Sequence, residues 1–133
     1  MENTPALDQI KETFALLDDW EDRYAYLIDL GRHLHDFPDD YKNECNLVKG
    51  CTSQVWMVLK MDDGVLNIKA DSDAHIVRGL IAIVIATYNG QLVADVNEID
   101  MESIFSELGL SDHLSPNRRN GFFAMVERVK SVD

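Results

Sequence analysis

The chain has 133 residues, of which 46% are hydrophobic and 27% charged, the balance of an ordinary globular protein able to bury a core without staples. Its 24 acidic and 12 basic side chains leave a formal charge of −12, which repels nucleic-acid phosphates and anionic lipid and argues against both as partners. The longest strongly apolar run, LIAIVIA at 80–86, is far short of the ~20 residues that span a bilayer.

Residues 1–133 are expected to form one domain. The N-terminal stretch MENTPALDQIKE has neither a basic region nor an apolar one of secretory type, so the expected location is cytoplasmic. Thr4–Pro5 reads as a helix start, with Leu7, Ile10, Phe14 and Leu17 following at helical spacing. Asp19 can cap a second helix whose inner face carries Trp20, Tyr24, Leu27, Ile28, Gly31 and Leu34, and the short join favours an antiparallel helix pair. Residues 35–46, with Pro38 and an acidic cluster, read as a loop.

Two alternating runs follow. Val55, Met57, Leu59 and Met61 share one face, as do Leu66, Ile68 and Ala70, with Asp63–Gly64 as the hairpin turn between them. A short strand at 47–49 would make the sheet three-stranded. Asp71 or Ser72 is expected to cap the next helix, in which Ile76, Val77, Leu80, Ile81, Val84, Ile85 and Tyr88 cover more than half the circumference. Such a helix belongs in the centre of a fold, and Asn89–Gly90 ends it. A shorter helix is expected from Met101 to Leu108, between Asp100 and Gly109. A last one opens at Ser115–Pro116, with Phe122, Met125, Val126 and Val129 inward. The fold class is α+β: a small antiparallel sheet of about three strands packed against several helices.

The chemistry-bearing candidates are few. Cys51 lies in LVKGCTSQVWM, residues 47–57, directly after Gly50 and before the hydroxyls of Thr52 and Ser53. A glycine there leaves room for close approach, and a loop between strands would hold the sulfur on a rigid frame. The thiol could equally be a small buried hydrophobe. A disulfide to Cys45 is disfavoured in a reducing compartment. Cys45 sits among Asn43, Glu44 and Asn46, an acidic and polar setting, and reads as a bystander. Zinc held by Cys45, Cys51 and His33 or His35 is the main rival, but Cys-x5-Cys is not a usual zinc spacing. His75 and His113 read as surface residues. Arg118–Arg119 stands out at a helix start, where the dipole disfavours cations; one of them can meet an anion, on a partner or at the thiolate.

The stretch VKGCTSQVW at 48–56 closely resembles the cysteine signature of the SufE family, including its CsdE branch. The segments WEDRYAYLIDLGRHL at 20–34, ADSDAHIVRGLIAIVIATYNG at 70–90 and LSPNRRNGFFAMVERV at 114–129 resemble further parts of that family in the same order. The resemblance implies a SufE/IscU-like α+β fold and a sulfur acceptor. Cys51 would take persulfide sulfur from a pyridoxal-phosphate-dependent cysteine desulfurase of SufS or CsdA type and stimulate it. It would then pass the sulfur to an iron–sulfur scaffold or another acceptor. Gly50, Thr52, Ser53 and Arg119 would support the site or contact the partner. The cofactor would belong to the desulfurase, leaving this chain a cofactor-free accessory protein and not a complete enzyme. The alternative is a zinc- or cluster-binding scaffold of IscU type using Cys45 and Cys51, but such a scaffold would gather three cysteines around its cluster and this chain has two, which argues against cluster assembly on it. The apolar neighbours Val48, Val55 and Trp56 suit a thiol sheltered in the free protein and exposed on docking.

Overall fold

The computed structural model describes residues 6–34, 37–49, 53–112 and 114–131. The expected start at Thr4–Pro5 lies outside them; helix α1, Leu7–Leu16, follows Ala6 and buries Ile10 and Phe14. Helix α2, Trp20–Arg32, begins as its sequence dictates, with the Asp19 carboxylate accepting from the Glu21 N–H at 3.0 Å. Phe14 meets Trp20 and Tyr26 edge-on across the join, but the main partner of α2 is a later helix. The stretch expected as a loop contains single 3-10 turns at Asp39–Tyr41 and Glu44–Asn46.

Strands β1, Val55–Asp62, and β2, Val65–Ser72, form an antiparallel hairpin in which Val55 faces Ser72 and Met61 faces Leu66. Asp63 and Gly64 both take positive φ, 55° and 80°, the left-handed pair that a tight hairpin turn requires. The inward face is Val55, Met57, Leu66, Ile68 and Ala70; Leu59 is half-buried, and Met61 beside the turn is exposed. The expected third strand is corrected: among the described residues the sheet has two strands, and 47–49 contributes only a bridge between Leu47 and Trp56. The reason is length, since the chain leaves the 3-10 turn at Asn46 and has no room for a ladder before the cysteine motif.

Helix α3, His75–Tyr88, is the spine, with both faces of its middle turns buried. Its cap differs from expectation. Asp71 and Ser72 are the last residues of β2, and Ala74 occupies the cap position. Ser72 still serves this start, because its Oγ accepts from the Ala74 N–H at 3.2 Å. Burial pushes the Tyr88 hydroxyl up to about 12, with the Glu127 and Asp100 carboxylates adding to it, so the ring stays neutral in the core.

Helix α2 lies directly on α3 because glycines meet at the crossing. A Cβ added at Gly31 would come to 2.7 Å from Arg78 Cβ, and one added at Gly79 would sit 2.7 Å from the Leu27 carbonyl carbon. Beyond Gly90 come a one-turn helix α4, Val93–Val96, which periodicity did not reveal, and α5, Met101–Glu107. Asp100 caps α5, and hydrogen bonds from the Ser103 N–H and hydroxyl hold its carboxyl below the usual carboxylate range. Helix α6, Pro116–Lys130, starts with the Ser115 hydroxyl accepting from the Arg118 N–H at 3.3 Å. It buries Phe122, Met125, Val126 and Val129 against α3. No helix among the described residues is long and apolar enough to cross a membrane.

Candidate functional site

Gly50, Cys51 and Thr52 lie outside the described residues, and so does His35. On the N-terminal side of the cysteine motif Val48 is buried, and its N–H donates to the Val55 carbonyl at 2.8 Å. On the C-terminal side Gln54 is held three times. Its N–H donates to Asp73 Oδ1 at 3.2 Å, and its carbonyl accepts from the Asp73 N–H at 3.3 Å and from Ser72 Oγ at 2.7 Å. The hairpin's open end and the start of α3 therefore hold the described residues on either side of the motif.

Val55 and Trp56 are successive strand residues and point to opposite faces. Beside Val55 is a cavity of about 430 Å³. Its apolar wall is Val55, Val77, Leu80, Phe122 and Met125, supplied by β1, α3 and α6, and its polar side is Ser53, Ser115, Asn117 and Arg118. Beside Trp56 is a groove lined by Lys42, Asn43, Glu44, Leu47 and Gln54. There the Lys42 ammonium sits 5.5 Å from the Trp56 ring centre and 3.5 Å from Asp71, which also meets Arg78 at 2.9 Å.

The sequence candidates separate on this frame. Ser53 lines the cavity together with Arg118. Arg119, one residue on and therefore turned about 100° round the helix, stacks over Phe105 and Phe123 at 5.9 and 5.8 Å. Cys45 is exposed in its 3-10 turn. His33 closes α2, its Nδ1 lying 2.8 Å from the Asp29 carbonyl. Among the described residues no three His, Cys, Asp or Glu side chains gather as metal ligands. Periodicity gave no hint of Arg128. Its Nη2 donates to the Cys45 carbonyl at 3.2 Å and its Nη1 to the Leu47 carbonyl at 3.5 Å, tying α6 to the stem of the motif.

A two-stranded hairpin packed among helices, with Val48 and Gln54 held on either side of the cysteine motif, makes a small α+β domain. Residues 8–132 match the SufE family, described as an Fe-S metabolism associated domain. The chain is 46% identical over 130 residues to an uncharacterized SufE-like protein of Rhizobium meliloti (strain 1021), covering 95% of this chain and 93% of that one. It is 45% identical over 129 residues to another from Rhizobium etli, covering 94% and 87%. The solution structure of a hypothetical protein from Thermus thermophilus shares the fold, with a TM-score of 0.75 at 20% identity over 98% of this chain and 94% of that one. The chain belongs to the SufE family, and its role is an accessory one in iron–sulfur metabolism.

Proposed function

We propose that residues 1–133 act as one SufE-like domain that carries sulfur on Cys51. The observation that supports this most directly is the motif VKGCTSQVW standing on a SufE-family scaffold, with its described flanks held at Val48–Val55 and Gln54–Asp73. The Cys51 thiolate attacks the outer sulfur of a persulfide on the donor desulfurase. A sulfur–sulfur bond to Cys51 forms, the donor's sulfur–sulfur bond breaks, and the donor cysteine leaves as a thiolate. The rate depends on thiolate fraction, nucleophilicity and access. The pyridoxal phosphate belongs to the desulfurase, of SufS or CsdA type, which this chain stimulates. The sulfur then passes to an iron–sulfur scaffold or another cytoplasmic acceptor. Gly50, Thr52 and Ser53 support the site or contact the partner, and the apolar cavity beside Ser53 and Val55 suits shelter of a persulfide from stray oxidants and reductants.

Intact mass after incubation with a desulfurase and L-cysteine tests the reading. A gain of one sulfur atom is expected, whereas bound zinc or iron with no sulfur gain would instead favour the Cys45–Cys51 scaffold.

The arginine pair is expected to divide its work. Arg118 stands at the cavity and Arg119 on an aromatic shelf at the same exposed helix start. Arg118→Ala should slow transfer about tenfold at saturating desulfurase, the scale of a lost charge-assisted contact. Arg119→Ala should instead raise the Kd for the desulfurase and lose about 0.5–1 kcal/mol of stacking. Single-turnover rates and binding measured side by side check the assignment, and identical profiles for the two variants would refute it.

The charge of −12 should also steer docking. The on-rate to the desulfurase is expected to fall about threefold or more as salt is raised through the physiological range, where the Debye length is about 8 Å. Stopped-flow association at several salt concentrations measures this; a flat response would remove charge steering.

A further inference from the structure

The described stems on the two sides of the cysteine motif are held in different ways. The C-terminal stem is bound locally, through Gln54, to the start of α3. The N-terminal stem leaves the 3-10 turn Glu44–Asn46, whose last carbonyls have no partner within the turn. Arg128 supplies a partner for one of them, Cys45 O, and for the Leu47 carbonyl just beyond the turn, from 83 and 81 residues away with the two ends of one guanidinium. The chain has 24 carboxylate side chains, yet among the described residues Arg128 pairs with none of them and is committed to neutral backbone carbonyls. The side chain is half-buried, and α6 is anchored on either side of it by buried Val126 and Val129. A planar, always-charged fork on a fixed helix is the side chain suited to holding two carbonyls at a set separation. Lysine has the charge but lacks the fork.

We propose that Arg128 is a positioning residue for sulfur transfer, fixing the N-terminal stem of the cysteine motif to α6 and thereby setting the approach of Cys51 to the donor sulfur. This rests on the carrier reading above. Transfer between two sulfurs is sensitive to alignment, and a misplacement of about 1 Å can cost about 100-fold. Arg128 touches neither sulfur and contributes only by placing the stem.

The test uses the full chain in a Cys45→Ser background, which keeps the Cys45 carbonyl and leaves one thiol to follow. Arg128→Met retains the apolar stem and removes the fork; Arg128→Lys retains charge without it. The expected result is a single-turnover sulfur-uptake rate lowered about 10-fold or more in Arg128→Met at saturating desulfurase. The Kd for the desulfurase and the thermal midpoint should stay unchanged, and Arg128→Lys should fall between. Uptake at the wild-type rate in Arg128→Met overturns the proposal. So does a loss that appears only as weaker binding or a lower melting temperature, because that is a structural role. Iodoacetamide alkylation of Cys51, which needs no desulfurase, separates this proposal from the carrier reading. If the parent protein accepts no sulfur the carrier reading fails, while an alkylation rate unchanged by Arg128→Met removes the tether on its own.

Discussion

Cys51→Ser is expected to abolish sulfur uptake and desulfurase stimulation while leaving the melting temperature almost unchanged. The two side chains are close in volume, and a substitution that breaks no core packing or buried network usually shifts stability by no more than about 0.5 kcal/mol. Chemistry separates them. Exchange needs a thiolate, which cysteine supplies in useful amount near neutral pH and serine does not, and a hydroxyl cannot hold a persulfide. Cys45→Ser should keep most of both activities, since Cys45 is an exposed side chain whose carbonyl, unaffected by the change, makes its described contact. A metal-binding role for the pair makes the opposite forecast: both variants would lose metal, and both would lose the folding energy that comes with it. Sulfur uptake, metal content and thermal midpoint on the two proteins decide between them, and uptake persisting in Cys51→Ser would sink the carrier mechanism.

The second large effect concerns Gly79→Ala. In a solvent-exposed helix the change stabilises by about 1 kcal/mol through helix propensity. Here the sign reverses. The new methyl group would overlap the carbonyl oxygen of Leu27 and lie 2.7 Å from its carbonyl carbon and 3.0 Å from its Cβ. The obstacle is backbone of α2, which cannot swing aside as a flexible side chain would, so the helices must part. A net loss of about 3 kcal/mol is expected, at the upper end for overpacking, with a fall in melting temperature of about 10 °C. Gly31→Ala, facing Arg78 Cβ and the Gly79 nitrogen on the other side of the same crossing, should act in the same direction. The consequence reaches the site, because Val77 and Leu80 on either side of Gly79 form part of the cavity wall beside Ser53. Calorimetry on Gly79→Ala checks the claim; a midpoint equal to or above that of the parent chain would disprove it.

What could be read from the sequence was what local chemistry controls. Asp19, Asp63–Gly64 and Ser115–Pro116 each set an element boundary within a few residues, and the structure has those boundaries. The apolar crowding of 76–88 marked the central helix, which is as buried as its composition implies. The errors arise where two local signals compete. Asp71 and Ser72 have cap chemistry, but the hairpin register carries β2 through them, and Ser72 reaches only the N–H of the cap residue Ala74 from within the strand. The run at 47–49 has strand character but too little length for more than a bridge. At the site, sequence identified the motif but not its surroundings. Neighbouring arginines on a helix face different ways, and nothing in the letters says which of Arg118 and Arg119 meets the cavity. Arg128 was invisible for a different reason: its partners are backbone carbonyls, which every residue has.

The bond between Val48 and Val55 also limits how far the sulfur can travel. Cys51 is three residues beyond Val48, so at most about 11 Å of stretched chain separates their Cα atoms. That is a short leash beside the width of a folded protein. On the carrier reading, donor and acceptor must both bring their reactive atoms into the same small sphere, and two bulky partners cannot share it. Loading and unloading would then take turns, with the desulfurase leaving before the recipient arrives. An excess of unloaded recipient would slow loading by standing in the donor's place.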